Sequence, residues 1–178
     1  MATTATPTRW TATQPWLSTL ARLVLGAVWI AAGAAKLPDL AESVRAVRAY
    51  RLLPETLVPL VGAGLPLLEV ALGILLILGL GTRVGAAVSA VLMLAFVIGI
   101  ASVWARGLRI DCGCFGGGGD LAAGTAPSYA PELARDLALL AVSGALARWP
   151  RSRWSLDGWL FSDSRLPDSR LSDSKEQR

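Results

Sequence analysis

Val84 to Trp104 reads VGAAVSAVLMLAFVIGIASVW, without one charged residue. Wound as an α-helix at 1.5 Å per residue, it reaches about 31 Å, the thickness of a bilayer's hydrocarbon core. A stretch this long and this apolar predicts a transmembrane helix. Two further runs precede it. Leu57–Leu80 follows the same pattern, joined by the tight turn Gly81-Thr82-Arg83, and its Pro59 and Pro66 predict a kink. Leu17–Ala35 is interrupted only by Arg22, and Gly26 and Gly33 suit close helix approach. A fourth run covers 131–149. Pro131 fits a first helical turn and Glu132 the positive helix end. Arg135 and Asp136 belong in the headgroup region there, leaving Leu137–Leu146 as a short apolar part that thins the bilayer locally.

Composition agrees. Of 178 residues, 53% are hydrophobic and 17% charged, far from a soluble domain. The expected fold is all-α: an integral membrane four-helix bundle with spans at 17–35, 57–80, 84–104 and 131–149. One domain fills 16–149, after a Thr-, Ala- and Pro-rich disordered tail at 1–15. A cleavable signal peptide is the rival reading of the first run, since Ala31-Ala32-Gly33-Ala34-Ala35 resembles a cleavage site. The weakly charged start and the length of the run favour a span. Between the first two spans, Leu40, Val44, Val47 and Leu52 recur at near-helical spacing with Arg45, Arg48 and Arg51 between them. That pattern predicts a short amphipathic helix lying on the interface. Residues 150–178 combine Arg151 and Arg153 with Trp154 and Trp159, an interface anchor continuing from Arg148 and Trp149. A low-complexity Asp-Ser-Arg repeat follows. The net charge of +4 is spread over loops, so no nucleic-acid-binding patch is expected; the bilayer is the expected partner.

Chemistry concentrates in Ile110-Asp111-Cys112-Gly113-Cys114-Phe115-Gly116, between the third and fourth spans. It holds both cysteines of the chain, enough for one intramolecular disulfide. Closing a disulfide over a single residue strains it and makes it a better oxidant. Gly113 tolerates the backbone this needs, and the glycines after Phe115 let a partner approach. Arg109 favours the thiolate while Asp111 opposes it. Three readings compete: electron exchange with a thioredoxin-like partner, metal capture with ligands from another chain, and a plain turn of small residues. The first is favoured, because reactive thiols sit exposed beside positive charge. With no histidine and two cysteines, the chain by itself completes no zinc site, and no metal is expected.

Four spans put both termini on one side. Arg83, Arg148, Arg151 and Arg153 argue for a cytoplasmic C-terminus, against Lys36, Arg45, Arg48 and Arg51. A lasting disulfide needs an oxidising compartment, so the cysteine loop is expected to be extracytoplasmic, in a plasma-membrane protein. Glu69 falls mid-span, where a carboxylate must be neutral or paired. The expected partners are Arg22 or Arg135. A functional alternative makes Glu69 a proton carrier or the polar group of a quinone pocket. Lys36 is expected to snorkel at an outer helix end, and Arg135 with Asp136 to form a bundle-end polar network.

These residues also resemble a known family. Gly33 with Lys36-Leu37, Tyr50 with Leu52-Leu53-Pro54, Leu65-Pro66-Leu67-Leu68-Glu69 with Gly73, Arg106-Gly107, Asp111-Cys112-Gly113-Cys114-Phe115-Gly116 and Arg135-Asp136 resemble the methylamine utilisation protein MauE family, in the DoxX-like group of four-helix membrane proteins. The resemblance covers about residues 20 to 147. It implies disulfide formation or redox maturation outside the cytoplasmic membrane, as a thiol–disulfide oxidoreductase or its accessory subunit. Family members are associated with maturing the disulfide-rich small subunit of methylamine dehydrogenase, together with a thioredoxin-like partner. Cys112 and Cys114 are the implied reacting pair. Two alternatives remain: a quinone-linked DoxX-type oxidoreductase subunit, with quinone as the cofactor near Glu69, and a non-enzymatic membrane assembly factor.

Overall fold

A computed structural model describes residues 9–150, with side chains from residue 13 onward. The anchor residues Arg151, Arg153, Trp154 and Trp159 and the Asp-Ser-Arg repeat lie outside the described residues. The elements are α1 (Arg9–Lys36), α2 (Leu40–Ala49), α3 (Val58–Leu78), α4 (Thr82–Ala105), β1 (Ile110–Asp111), β2 (Gly119–Asp120) and α5 (Tyr129–Arg148). Three helices are long and apolar enough to cross a membrane: Thr13–Lys36 within α1, α3 and α4. α5 has the length, but Glu132, Arg135 and Asp136 dilute its first half.

α1 starts at Arg9, inside the stretch expected to be an irregular tail. Once a long helix is nucleated, each further residue joins at little cost. Pro59 falls in the first turn of α3, where a missing N–H breaks nothing, so only Pro66 lies inside that helix. Gly79 ends α3 in the left-handed conformation at φ 72° and Gly81 opens α4 at φ 57°, which makes the short connection possible.

α1 packs mainly on α3 and α4 mainly on α5. The α1–α3 contact depends on glycine. A Cβ at Gly73 would lie 2.6 Å from the Gly26 carbonyl oxygen, and one at Gly33 would lie 2.6 Å from that of Pro66. Leu25, Trp29, Leu72, Leu76, Met93 and Leu146 close the core between the pairs. Trp29 donates its indole N–H to Ser89 Oγ at 2.9 Å, which satisfies both polar groups inside apolar surroundings. A second cluster, Ala49, Ile100, Val103, Ile110 and Tyr129, lies at the end that carries the cysteines. Leu60, Leu67, Val84 and Val91 are all more than half exposed, an outward apolar face that suits lipid.

α2 differs from expectation. Asp39 caps it by accepting from the Glu42 N–H at 2.9 Å. Its buried residues are Ser43, Ala46 and Ala49, not the larger Leu40 and Val44. The small side chains win because α2 lies against protein backbone. A Cβ at Gly62 of α3 would lie 2.6 Å from Val44 Cα, and Ser43 Oγ donates to the Gly62 carbonyl at 2.7 Å.

Candidate functional site

The cysteine loop is a small hairpin. β1 and β2 pair antiparallel, Ile110 with Asp120 and Asp111 with Gly119. The glycine-rich segment after Phe115 thus contains a strand. Two residues are too few to leave a periodic pattern. The Leu121 N–H donates to the Arg109 carbonyl at 2.9 Å and extends the clamp. Tyr129, at the start of α5, accepts from the Ile110 N–H at 2.9 Å and donates to the Leu108 carbonyl at 2.7 Å. Tyr50, at the end of α2, donates to the Cys112 carbonyl at 3.0 Å. Both tyrosines of the chain therefore hold this loop. Burial pushes the Tyr50 phenol far above its usual range, so it stays a donor.

Glycine seats the loop in the bundle mouth. Gly113 has φ 69° and Gly118 φ 105°, and a Cβ on either would strike Ala46 Cβ, at 2.8 Å and 2.5 Å. The Gly113 N–H donates to Asp111 Oδ1 at 2.9 Å, and the Cys114 N–H points at Cys112 Sγ at 3.4 Å. The two thiols are unbonded and half-buried. A hydrogen bond between them divides their acidity. The Cys114 side chain as donor holds the Cys112 thiol below the ordinary range, against the opposing effect of burial and the Glu132 carboxylate. Cys114 is pushed far up by that same bond, by burial and by the adjacent Cys112 charge. Arg135 lies near both sulfurs and favours their ionised forms. Its guanidinium covers the Phe115 ring at 5.0 Å and its Nε donates to Asp136 Oδ1 at 2.8 Å.

Below the loop is a buried ion pair. Lys36 Nζ donates to both oxygens of Glu69, at 2.7 and 2.9 Å, with side-chain exposures of 5% and 0%. Glu69 therefore pairs with Lys36, not with Arg22 or Arg135, and Lys36 does not snorkel. The helix register explains this. Gly33 sits level with Pro66, so α1 ends about 7 Å short of the α3 N-terminus. Helical side chains lean toward their own N-terminus, so Lys36 reaches back into the bundle. Two spaces flank the pair. An inner cleft of about 20 Å³, water-sized, is lined by Glu69, Cys114, Asp136 and Trp29. Asp136 is buried there, and its Oδ2 has no hydrogen-bond partner. An outer groove of about 280 Å³ is lined by Lys36, Tyr50, both cysteines and apolar residues of α3 and α4. Among the described residues no three thiol or carboxylate groups converge as a metal site.

The family described as methylamine utilisation protein MauE matches residues 14–149. The chain belongs to the MauE family. It is 33% identical over 106 residues to the methylamine utilization protein MauE of Paracoccus denitrificans, covering 59% of this chain and 57% of that relative. The matched part thus spans little more than half of the relative's length. No solved structure matches the chain.

In this MauE-family chain the structure gathers Cys112, Cys114, Asp111, Gly113, Phe115, Lys36, Glu69, Arg135 and Asp136 at one end of the bundle. Arg109 is the exception: its guanidinium donates to the Thr125 carbonyl, and Arg135 is the cation beside the sulfurs. Arg135 and Asp136 form the polar pair expected at the bundle end, and both line the cleft beside Cys114. Sequence reasoning missed Tyr129 and Glu132 as site residues and placed Tyr50 only in a family motif. The rarity of tyrosine in so apolar a chain was the available signal.

Proposed function

We propose that this MauE-family chain is a membrane thiol–disulfide exchange protein, with Cys112 and Cys114 as the reacting pair and a thioredoxin-like protein as partner. α1, α3, α4 and α5 are the four spans of one domain over 16–149. The hairpin loop is extracytoplasmic and the membrane is the plasma membrane. The process served is methylamine utilisation, through oxidative maturation of a disulfide-bearing protein. What carries the reading is the unequal thiol pair on a clamped loop. Cys112 is the more acidic of the two, and the Cys114 side chain is the donor that makes it so. A redox-inactive turn has no need of that polarisation.

Exchange runs as follows. A partner thiolate attacks Cys112 of the oxidised pair, forming a mixed disulfide and releasing Cys114 as thiolate, which takes up a proton. The partner's second thiolate then displaces Cys112. The partner ends with a disulfide and the loop with two thiols, so two electrons have passed. Asp136 faces Cys114 across the inner cleft and is the group that exchanges its proton.

Cys112→Ser and Cys114→Ser should each abolish partner oxidation while the protein still inserts. With oxidised partner supplied, Cys114→Ser should in addition trap a mixed disulfide through Cys112, since the neighbouring thiol that would release it is gone. An unchanged partner redox state in both variants would remove the redox role.

A further inference from the structure

We infer that the outer groove binds the ring of a membrane-dissolved quinone, which takes electrons from the reduced Cys112/Cys114 pair. The inference rests on the exchange reading above, since it names where those electrons go next. After each turnover the loop holds two thiols, and the chain has no second cysteine pair to reoxidise them. The acceptor must therefore reach these sulfurs directly. The groove is where the structure permits this. Cys112, Gly113 and Cys114 form part of its wall, and its volume is about 280 Å³. Leu65 of α3 and Leu92, Ala95 and Phe96 of α4 form the opposite side. Leu53, Val61 and Ala95 are exposed on the outer surface of the bundle, so the groove opens sideways. An opening lined by these apolar side chains suits a lipid-soluble molecule.

Polarity selects a quinone among lipid-soluble molecules. Lys36 is the one cation on the wall. Its ammonium has three donors and Glu69 takes two, which leaves one for a ring carbonyl. A hydrogen bond from an ammonium is stronger than one from a neutral donor. An acyl chain would leave that donor unused. The chemistry balances: the two thiols give up two electrons and two protons and join as a disulfide, and the quinone leaves as a quinol. Gly99 holds the groove open beside Tyr50, whose ring a Cβ there would approach to 3.2 Å.

The test uses the full chain in nanodiscs with decylubiquinone as probe. Equilibrium binding to the unmodified protein is expected, weakened at least tenfold by Ala95→Trp and, on the opposite wall, by Leu65→Trp. Both variants are checked by thermal melting, and either one that folds suffices. Independently, the reduced unmodified protein is mixed with decylubiquinone or with glutathione disulfide, and the remaining thiols are counted. Oxidation by decylubiquinone is expected. No binding, or binding that both plugs leave intact, overturns the groove assignment. Oxidation by glutathione disulfide without oxidation by decylubiquinone overturns the quinone and spares the exchange reading. Oxidation by neither sinks both.

Discussion

Cys112 and Cys114 are chemically alike and one residue apart, yet their surroundings make them unequal. The depressed Cys112 thiol owes its acidity first to the Cys114 hydrogen bond and then to the Cys114 backbone N–H, with Arg135 adding a smaller favourable field. As pH rises, Cys112 ionises first, and the fraction able to attack grows from a pH below the ordinary thiol value of about 8.5. The pH dependence of alkylation by iodoacetamide should show that early midpoint. Cys114→Ala, which removes the donor, should move it upward. Asp136→Asn should slow formation of the mixed disulfide, the step in which Cys114 leaves and takes up its proton, and leave the Cys112 midpoint nearly unchanged; rapid-quench kinetics would read this. The Lys36–Glu69 pair makes a different prediction. Lys36→Met leaves a buried carboxylate alone and should cost about 3–5 kcal/mol, whereas Lys36→Met with Glu69→Leu should cost much less. Reversible unfolding in mixed micelles compares the two.

Among the elements, α2 and the hairpin depend on each other. α2 offers a face of small residues, Ser43, Ala46 and Ala49, and the loop offers glycines. Their backbones approach so closely that a single methyl group is excluded. Gly118→Ala is expected to lift the loop off Ala46, lowering partner oxidation more than it lowers the melting temperature. Equal loss of both would count against the positioning role. The α1–α3 seam follows the same rule at greater depth. Gly73→Leu should destabilise the bundle by about 1–3 kcal/mol or more through overpacking. Gly26 and Gly33 were legible as contact positions because small residues in a membrane helix have few other uses. The inward face of α2 was not legible. Its Leu and Val positions satisfied an amphipathic pattern, and no pattern reveals that a neighbouring glycine loop will demand alanine.

For the whole molecule, the arrangement sets one end of the bundle apart. The end of α1, all of α2, the hairpin and the start of α5 converge there, while at the opposite end the described residues supply the short α3–α4 turn and the Ser18 hydroxyl donating to the Trp149 carbonyl at 2.9 Å. Sidedness is therefore testable with one reagent. An impermeant maleimide applied to intact cells after reduction should label Cys112 or Cys114. Labelling only after the cells are opened would place the loop inside and remove the extracytoplasmic assignment.

The long apolar runs, the lone cysteine pair and the family were all determined by sequence alone. Burying some twenty consecutive apolar residues has one common solution, and two cysteines in 178 residues stand out in any reading. Tertiary structure alone decided the partners. Glu69 chose Lys36 because α1 ends short of α3 and its last side chain leans inward. Arg135 rather than Arg109 came to the sulfurs because the hairpin turns Arg109 toward Thr125. Which charge meets which depends on helix register and loop direction, and those follow from packing summed over the whole bundle.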